Sequence, residues 1–146
     1  MSDTFIALND RFFVAPQISL GDTTQAKDAG VTLIVNNRPD GESPGQPASD
    51  EMAKAAADAG LAYVHIPVDG RGLSMGHISA LKNALEENGA GKALAYCRSG
   101  TRSVILHAYW QATEGRAPAE IIAEAGAAGY DIRAHAQALQ SLNSAA

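Results

Sequence analysis

Three short runs, residues 31–36, 61–67 and 92–97, are rich in apolar and β-branched residues, and longer stretches of helical composition separate them. Near-continuous apolar strands alternating with helices are the pattern of a parallel sheet covered on both faces. Residues 75–88 carry Ile78, Leu81 and Leu85 at spacings of three and four, one apolar stripe, and Gly89 stops it. Ser49 with Asp50 and Glu51 places a cap and an acidic first turn before an Ala-rich helix that ends near Gly60. A further helix runs from Ser103 with no breaker until Gly115, Pro118 opens the next, and residues 121–128 and 132–142 complete a helical C-terminal third. Residues 5–8 and 12–15 flank the polar Asn9-Asp10-Arg11 and predict a hairpin. Residues 37–48, with Pro39, Gly41, Pro44, Gly45 and Pro47, form the one long irregular stretch. The expected fold is therefore α/β, a single domain over residues 1–146 with a small, mainly parallel sheet flanked by helices.

Composition narrows this picture. At 146 residues the chain has room for one sizeable core, and 46% hydrophobic with 18% charged residues is a globular balance. The longest apolar runs are far below the roughly 18 residues that span a bilayer. Residues 1–10 lack a basic region followed by a long apolar stretch, so the expected location is cytoplasmic. A formal charge of −5 offers no broad basic surface, which argues against nucleic acid as partner. The four histidines, His65, His77, His107 and His135, are scattered, and with one cysteine they give no zinc spacing. His107 and Trp110 fit core packing, His65 lies near a strand end, and no metal or cofactor is expected.

The chemistry concentrates in Ala95-Tyr96-Cys97-Arg98-Ser99-Gly100-Thr101-Arg102-Ser103, which holds the only cysteine. With Cys97 ending a strand and Ser103 beginning a helix, residues 98–102 make a strand-to-helix turn. Such a turn points successive N–H groups into one concavity at a helix N-terminus and favours an anion. Cys97 there has its thiolate stabilised by the helix end, by the N–H groups and by the Arg98 and Arg102 cations. Arg102 can offer a planar fork to an oxyanion, and Ser103 is placed to donate to the sulfur. The plainer alternative is a buried structural thiol, which does not require flanking arginines and a glycine turn.

Cys-Arg-Ser-Gly-Thr-Arg resembles the active loop of rhodaneses, with four residues between Cys and Arg, whereas protein tyrosine phosphatases have five and usually a His where this chain has Tyr96. The wider pattern, Gln17-Ile18-Ser19, Asn36-Asn37-Arg38-Pro39-Asp40-Gly41-Glu42, His65-Ile66-Pro67-Val68 and Tyr96 through Ser103, resembles the bacterial phosphatase-like domain named after beta-lactamase hydrolase-like proteins. That resemblance covers nearly all of the chain. It implies a protein-tyrosine-phosphatase-like fold of the dual-specificity type, and some relatives are fused to persulfide-oxidising metallo-β-lactamase-fold domains; it does not imply β-lactam chemistry.

Loop and fold point to different reactions. In sulfur transfer, Cys97 takes the outer sulfur of thiosulfate or a persulfide and passes it to an acceptor thiol, with no strong general acid required. In phosphoryl transfer, Cys97 attacks phosphorus while Arg102 and the amides of Arg98, Ser99, Gly100 and Thr101 hold the oxygens, and an acid protonates the leaving group. Asp69, in Val68-Asp69-Gly70-Arg71-Gly72, is the expected acid by resemblance to dual-specificity phosphatases, or else an ordinary turn residue. Arg38 either shapes the mouth of the site or pairs with Asp40 or Glu42 to brace the proline turn. Because the loop touches the reacting atom, sulfur transfer is the expectation taken forward, phosphate-monoester hydrolysis is the alternative, and a non-catalytic oxyanion-binding or thiol redox module is the third reading.

Overall fold

The computed structural model describes residues 5–146. It contains strands β1 (Ile6–Ala7), β2 (Phe12–Ala15), β3 (Val31–Asn36), β4 (Ala62–His65) and β5 (Lys92–Tyr96). The helices are α1 (Asp22–Asp28), α2 (Ser49–Asp58), α3 (Met75–Asn88), α4 (Thr101–Thr113), α5 (Pro118–Ala127) and α6 (Ala136–Ser144), the last entered through a 3₁₀ turn at Arg133–His135. The sheet order is β1-β2-β5-β3-β4, with β2, β5, β3 and β4 parallel and β1 antiparallel to β2 in the hairpin. The mainly parallel α/β architecture expected from the apolar pattern is thus the observed one.

Side chains on β5 alternate between the two faces, as the two-residue period of a strand requires. Ala93 and Ala95 face α3, α4, α5 and α6 through Ile78, Leu81, Val104, Leu106, Ile121 and Leu139. Leu94 and Tyr96 face the opposite layer, where Ala26 of α1 and Met52 and Ala56 of α2 cover the sheet. Two covered faces explain why the central strands read as continuous apolar runs. Among the described residues no helix is long and apolar enough to cross a membrane.

Three boundaries differ from expectation. β5 ends at Tyr96, and α4 begins at Thr101 rather than Ser103, so the turn is only residues 97–100. Helix α2 is capped from Ala48: the Glu51 carboxylate accepts from the Ala48 N–H at 3.0 Å, while the Ser49 hydroxyl meets the Tyr63 hydroxyl at 2.7 Å. Helix α1 lies outside the elements expected above; its seven residues, DTTQAKD, include four weak helix formers, two Asp and two Thr.

Candidate active site

The parallel strands β3, β4 and β5 deliver their C-terminal loops to one edge of the sheet, where ligand sites of open α/β sheets form. Cys97 follows β5 directly and is fully buried. Its sulfur accepts the Gly100 N–H at 3.1 Å. Gly100 has φ 92°, a left-handed conformation that suits glycine. A side chain at this position would also run into the Tyr130 hydroxyl, which donates to the Ser99 carbonyl at 3.2 Å and seats the loop from outside. Around the turn, Ser99 Oγ donates to Thr101 Oγ1 at 3.1 Å and accepts the Thr101 N–H at 3.4 Å. Among the described residues the main-chain N–H groups of Arg98, Ser99 and Arg102 meet no acceptor, and they remain for an oxyanion.

Arg102 stands in the first turn of α4, and its guanidinium is fixed from two loops. Nη1 and Nη2 each donate to one Glu42 oxygen at 2.8 Å, and Nη1 also donates to the Val68 carbonyl. Glu42 raises the Arg102 pKa further, with the neighbouring Cys97 sulfur acting in the same direction against the cost of burial. The Glu42 carboxylate is drawn down to about 2, chiefly by its hydrogen bond from Arg102, with burial opposing and Arg38 assisting. Arg38, 4% exposed, donates to Glu42 at 2.8 Å, to Gln17 at 3.0 Å and to Ser43 at 2.8 Å. Of the two expectations for Arg38, the bracing role describes what it does. It pairs with Glu42, and the Glu42 carboxylate in turn holds Arg102.

A second support runs through Asn37, which is fully buried. Its N–H donates to the Tyr96 carbonyl at 2.8 Å, and its Nδ2 donates to the Ile66 carbonyl at 3.0 Å. The Ser103 hydroxyl donates to Asn37 Oδ1 at 2.8 Å, and this corrects its expected role as donor to the sulfur. Asn37 thereby ties β5, the loop after β4 and α4 into one unit beneath Cys97. Neither Asn37 nor Glu42 was a sequence-based site candidate, although both lie in the Asn36-to-Glu42 stretch that carries the resemblance.

The other candidates fall around this centre. The Arg98 side chain is exposed and makes no hydrogen bond or ion pair among the described residues; its carbonyl accepts the Gln17 N–H at 3.3 Å. Asp69 lines a cavity of about 230 Å³ together with Arg102, but its carboxylate is in an exposed ion pair with Arg71 at 2.9 Å. The Arg71 hydrogen bonds hold the Asp69 pKa below the usual carboxylate range, so this geometry keeps the group ionised. His65 meets the Arg38 carbonyl at 2.8 Å and stays outside the site, and His77 braces Ser74 and Pro67. His107 is a core residue, as expected, 4.2 Å from the Phe12 ring. Tyr96, at the position where tyrosine phosphatases usually carry His, is buried with its hydroxyl unpartnered among the described residues, and burial pushes its pKa up.

The family model of the "Beta-lactamase hydrolase-like protein, phosphatase-like domain" matches residues 4–114. A beta-lactamase hydrolase-like protein of Agrobacterium fabrum is 33% identical over 141 residues, which is 96% of this chain and 32% of that relative. The chain therefore spans about a third of that relative's length. The crystal structure of a candidate phosphatase of Neisseria meningitidis superposes with a TM-score of 0.80 at 28% identity, covering 97% of this chain and 99% of that one. A mouse candidate dual-specificity phosphatase, at 20% identity, shares the fold with a TM-score of 0.72 over 99% of this chain and 89% of its own.

These likenesses overturn the expectation of sulfur transfer, and with it thiosulfate, persulfide and an acceptor thiol as partners: the matching family and solved neighbours are phosphatase-like. That expectation rested on the four-residue interval between Cys97 and Arg102, and the local geometry weakens the inference. Left-handed Gly100 leads straight into Thr101 at the start of the helix, so the Gly100 N–H meets the sulfur and Arg102 follows one residue later, with the sulfur helping to raise its pKa. An interval shorter by one residue does not by itself remove the donors a phosphoryl group needs.

Proposed function

The chain belongs to the phosphatase-like domain family of beta-lactamase hydrolase-like proteins, and from that premise we propose that it hydrolyses phosphate monoesters through a phosphocysteine at Cys97. The observation that carries the reading is the Gly100 N–H donated to the Cys97 sulfur beside an Arg102 guanidinium that Glu42 clamps and whose pKa the sulfur helps to raise. Cys97 thiolate attacks phosphorus and the bond to the leaving oxygen breaks. Arg102 and the N–H groups of Arg98 and Ser99 neutralise the charge on the equatorial oxygens, the kind of preorganised stabilisation that dominates such reactions. Water then attacks the phosphocysteine, releasing inorganic phosphate and the thiolate. Thr101 and Ser99 shape the turn, and Ser103 positions it through Asn37. The substrate is a small anionic phosphate ester.

Acid quenching during turnover of para-nitrophenyl phosphate, followed by peptide mass analysis, tests this directly. One phosphoryl group on Cys97 in the wild type, with turnover at background in Cys97→Ser, is the expected result. Undiminished hydrolysis by Cys97→Ser, or no hydrolysis by the wild type, would overturn it.

A further inference from the structure

The turn after Cys97 is anchored one peptide unit at a time. The Arg98 carbonyl accepts the Gln17 N–H at 3.3 Å, and the Gly100 carbonyl accepts the Val104 N–H at 3.0 Å. Between them, the Ser99–Gly100 peptide has one anchor outside the turn among the described residues. Its carbonyl accepts the Tyr130 hydroxyl at 3.2 Å, and its N–H donates to the Cys97 sulfur at 3.1 Å. The C=O and N–H of a trans peptide lie in one plane and point in opposite directions, so a bond that fixes one fixes the other. The hydroxyl on the outside and the sulfur on the inside are therefore joined through a single rigid unit, in which each hydrogen bond polarises the next.

Tyr130 is itself well held. It follows α5 and the left-handed Gly129 (φ 96°), and its own N–H bonds back to the Ala125 carbonyl at 2.9 Å. Its half-buried ring packs against the core that contains Val104, Ile121 and Leu139. Burial keeps its pKa above the ordinary tyrosine value, with the Cys97 sulfur acting in the same direction, so the hydroxyl retains the proton it donates.

We propose that Tyr130 is a positioning residue whose hydroxyl sets the orientation of the Ser99–Gly100 peptide and so keeps the Cys97 turn receptive to an oxyanion. The inference rests on the phosphatase reading of Cys97 and adds what holds its turn in working form. Gly100 is the reason such a lock is needed. Glycine populates both signs of φ, so backbone sterics alone do not hold the observed 92° against the reversed plane. Reversal would present the Ser99 carbonyl oxygen to the sulfur in place of the Gly100 N–H, and a negative dipole end would stand where an anion has to bind. A Cβ on residue 100 would run first into the Tyr130 hydroxyl. The glycine that permits both orientations thus also admits the hydroxyl that selects one.

A reversed peptide takes molecules out of the binding-competent population, and bound ligand draws them back at a cost in apparent affinity. The signature is therefore in KM and not in kcat. The test compares wild type with Tyr130→Phe, which deletes the hydroxyl and keeps the ring, in turnover of para-nitrophenyl phosphate with inorganic phosphate as inhibitor. Calorimetry follows phosphate binding separately. KM and the phosphate inhibition constant are expected to rise together by about three- to tenfold, the worth of one hydrogen bond, with kcat within about twofold. A structural loss of folded protein would lower kcat and leave both constants alone, and that result would overturn the assignment. Unchanged values throughout, or a rise in one constant without the other, would overturn it as well. A wild type inert toward the ester would remove the phosphatase reading itself. The lock would still be supported by weaker calorimetric phosphate binding in Tyr130→Phe, and overturned by equal binding or by none in either protein.

Discussion

Two buried nitrogen-bearing side chains, one histidine and one arginine, are treated in opposite ways. His107 on α4, 3% exposed, lies among Phe12 and Trp110 with ring centroids at 4.2 and 5.7 Å, and its imidazole makes no hydrogen bond among the described residues. Burial, with a smaller contribution from Arg116, lowers its pKa to about 3, so it sits in the core as a neutral aromatic ring. Arg38, just beyond the C-terminal end of β3 and 4% exposed, has donors satisfied by Glu42, Gln17 and Ser43. A histidine can discard its charge when water is removed, but an arginine cannot, so a buried arginine obliges its surroundings to supply a carboxylate. That carboxylate, Glu42, is shared with Arg102. Around His107 burial serves packing, whereas around Arg38 it fixes the cation that stands beside Cys97.

The sharpest way to break the contrast is Glu42→Gln. The variant leaves a buried arginine without its counter-charge and releases the Arg102 fork, so about 3 kcal/mol of stability should be lost in urea unfolding. Hydrolysis of para-nitrophenyl phosphate should fall by more than tenfold, because Arg102 is no longer aimed. A variant as stable and active as the wild type would show that the two guanidiniums do not depend on the shared carboxylate. The effect has a pH signature as well. With a folded pKa of about 2 against an ordinary 4.5, ionised Glu42 contributes stability that is full above about pH 4.5 and is lost as the pH falls toward 2.

A smaller perturbation of the same region is Ser103→Ala, which leaves Asn37 Oδ1 buried without its donor. The expected cost is about 1–2 kcal/mol, with a several-fold fall in kcat as the turn loses its tie to the loop after β4. Unchanged stability would mean that Asn37 finds another partner.

These supports also mark the limit of what the amino-acid order reveals. The run at residues 31–36 became β3 with the same bounds, and the stripe of Ile78, Leu81 and Leu85 became α3, because local periodicity reports directly on burial. The turn at Cys97 was legible for a similar reason: its residue types act on their near neighbours. Glu42 and Arg102 are 60 positions apart, Asn37 and Ser103 are 66, and Ser99 and Tyr130 are 31. No local pattern couples such pairs; only the parallel order β5-β3-β4 brings the first two together. Loop length misled for the converse reason, since a one-residue difference is visible in the chain while the donor that left-handed Gly100 turns onto the sulfur is visible only in the backbone.

The gentlest test addresses the other side of the comparison. His107→Leu replaces a neutral ring, unbonded among the described residues, with an apolar side chain of similar size, so stability at pH 7 should change by less than about 1 kcal/mol and phosphate-ester hydrolysis should be unaffected. The difference emerges in acid. The unfolded imidazole takes up a proton below its ordinary 6.5, while the folded one resists until about 3. In the wild type the contribution of this group is therefore full above about pH 6.5 and declines as the pH falls toward 3, at a rate approaching tenfold in the unfolding constant per pH unit. Between pH 6.5 and 5, before Glu42 begins to titrate, the Leu variant should show a flatter loss of stability in urea melts than the wild type. Parallel slopes for the two proteins would mean that the folded core accepts a charged His107, and the distinction between a base discharged by burial and one held charged by partners would collapse.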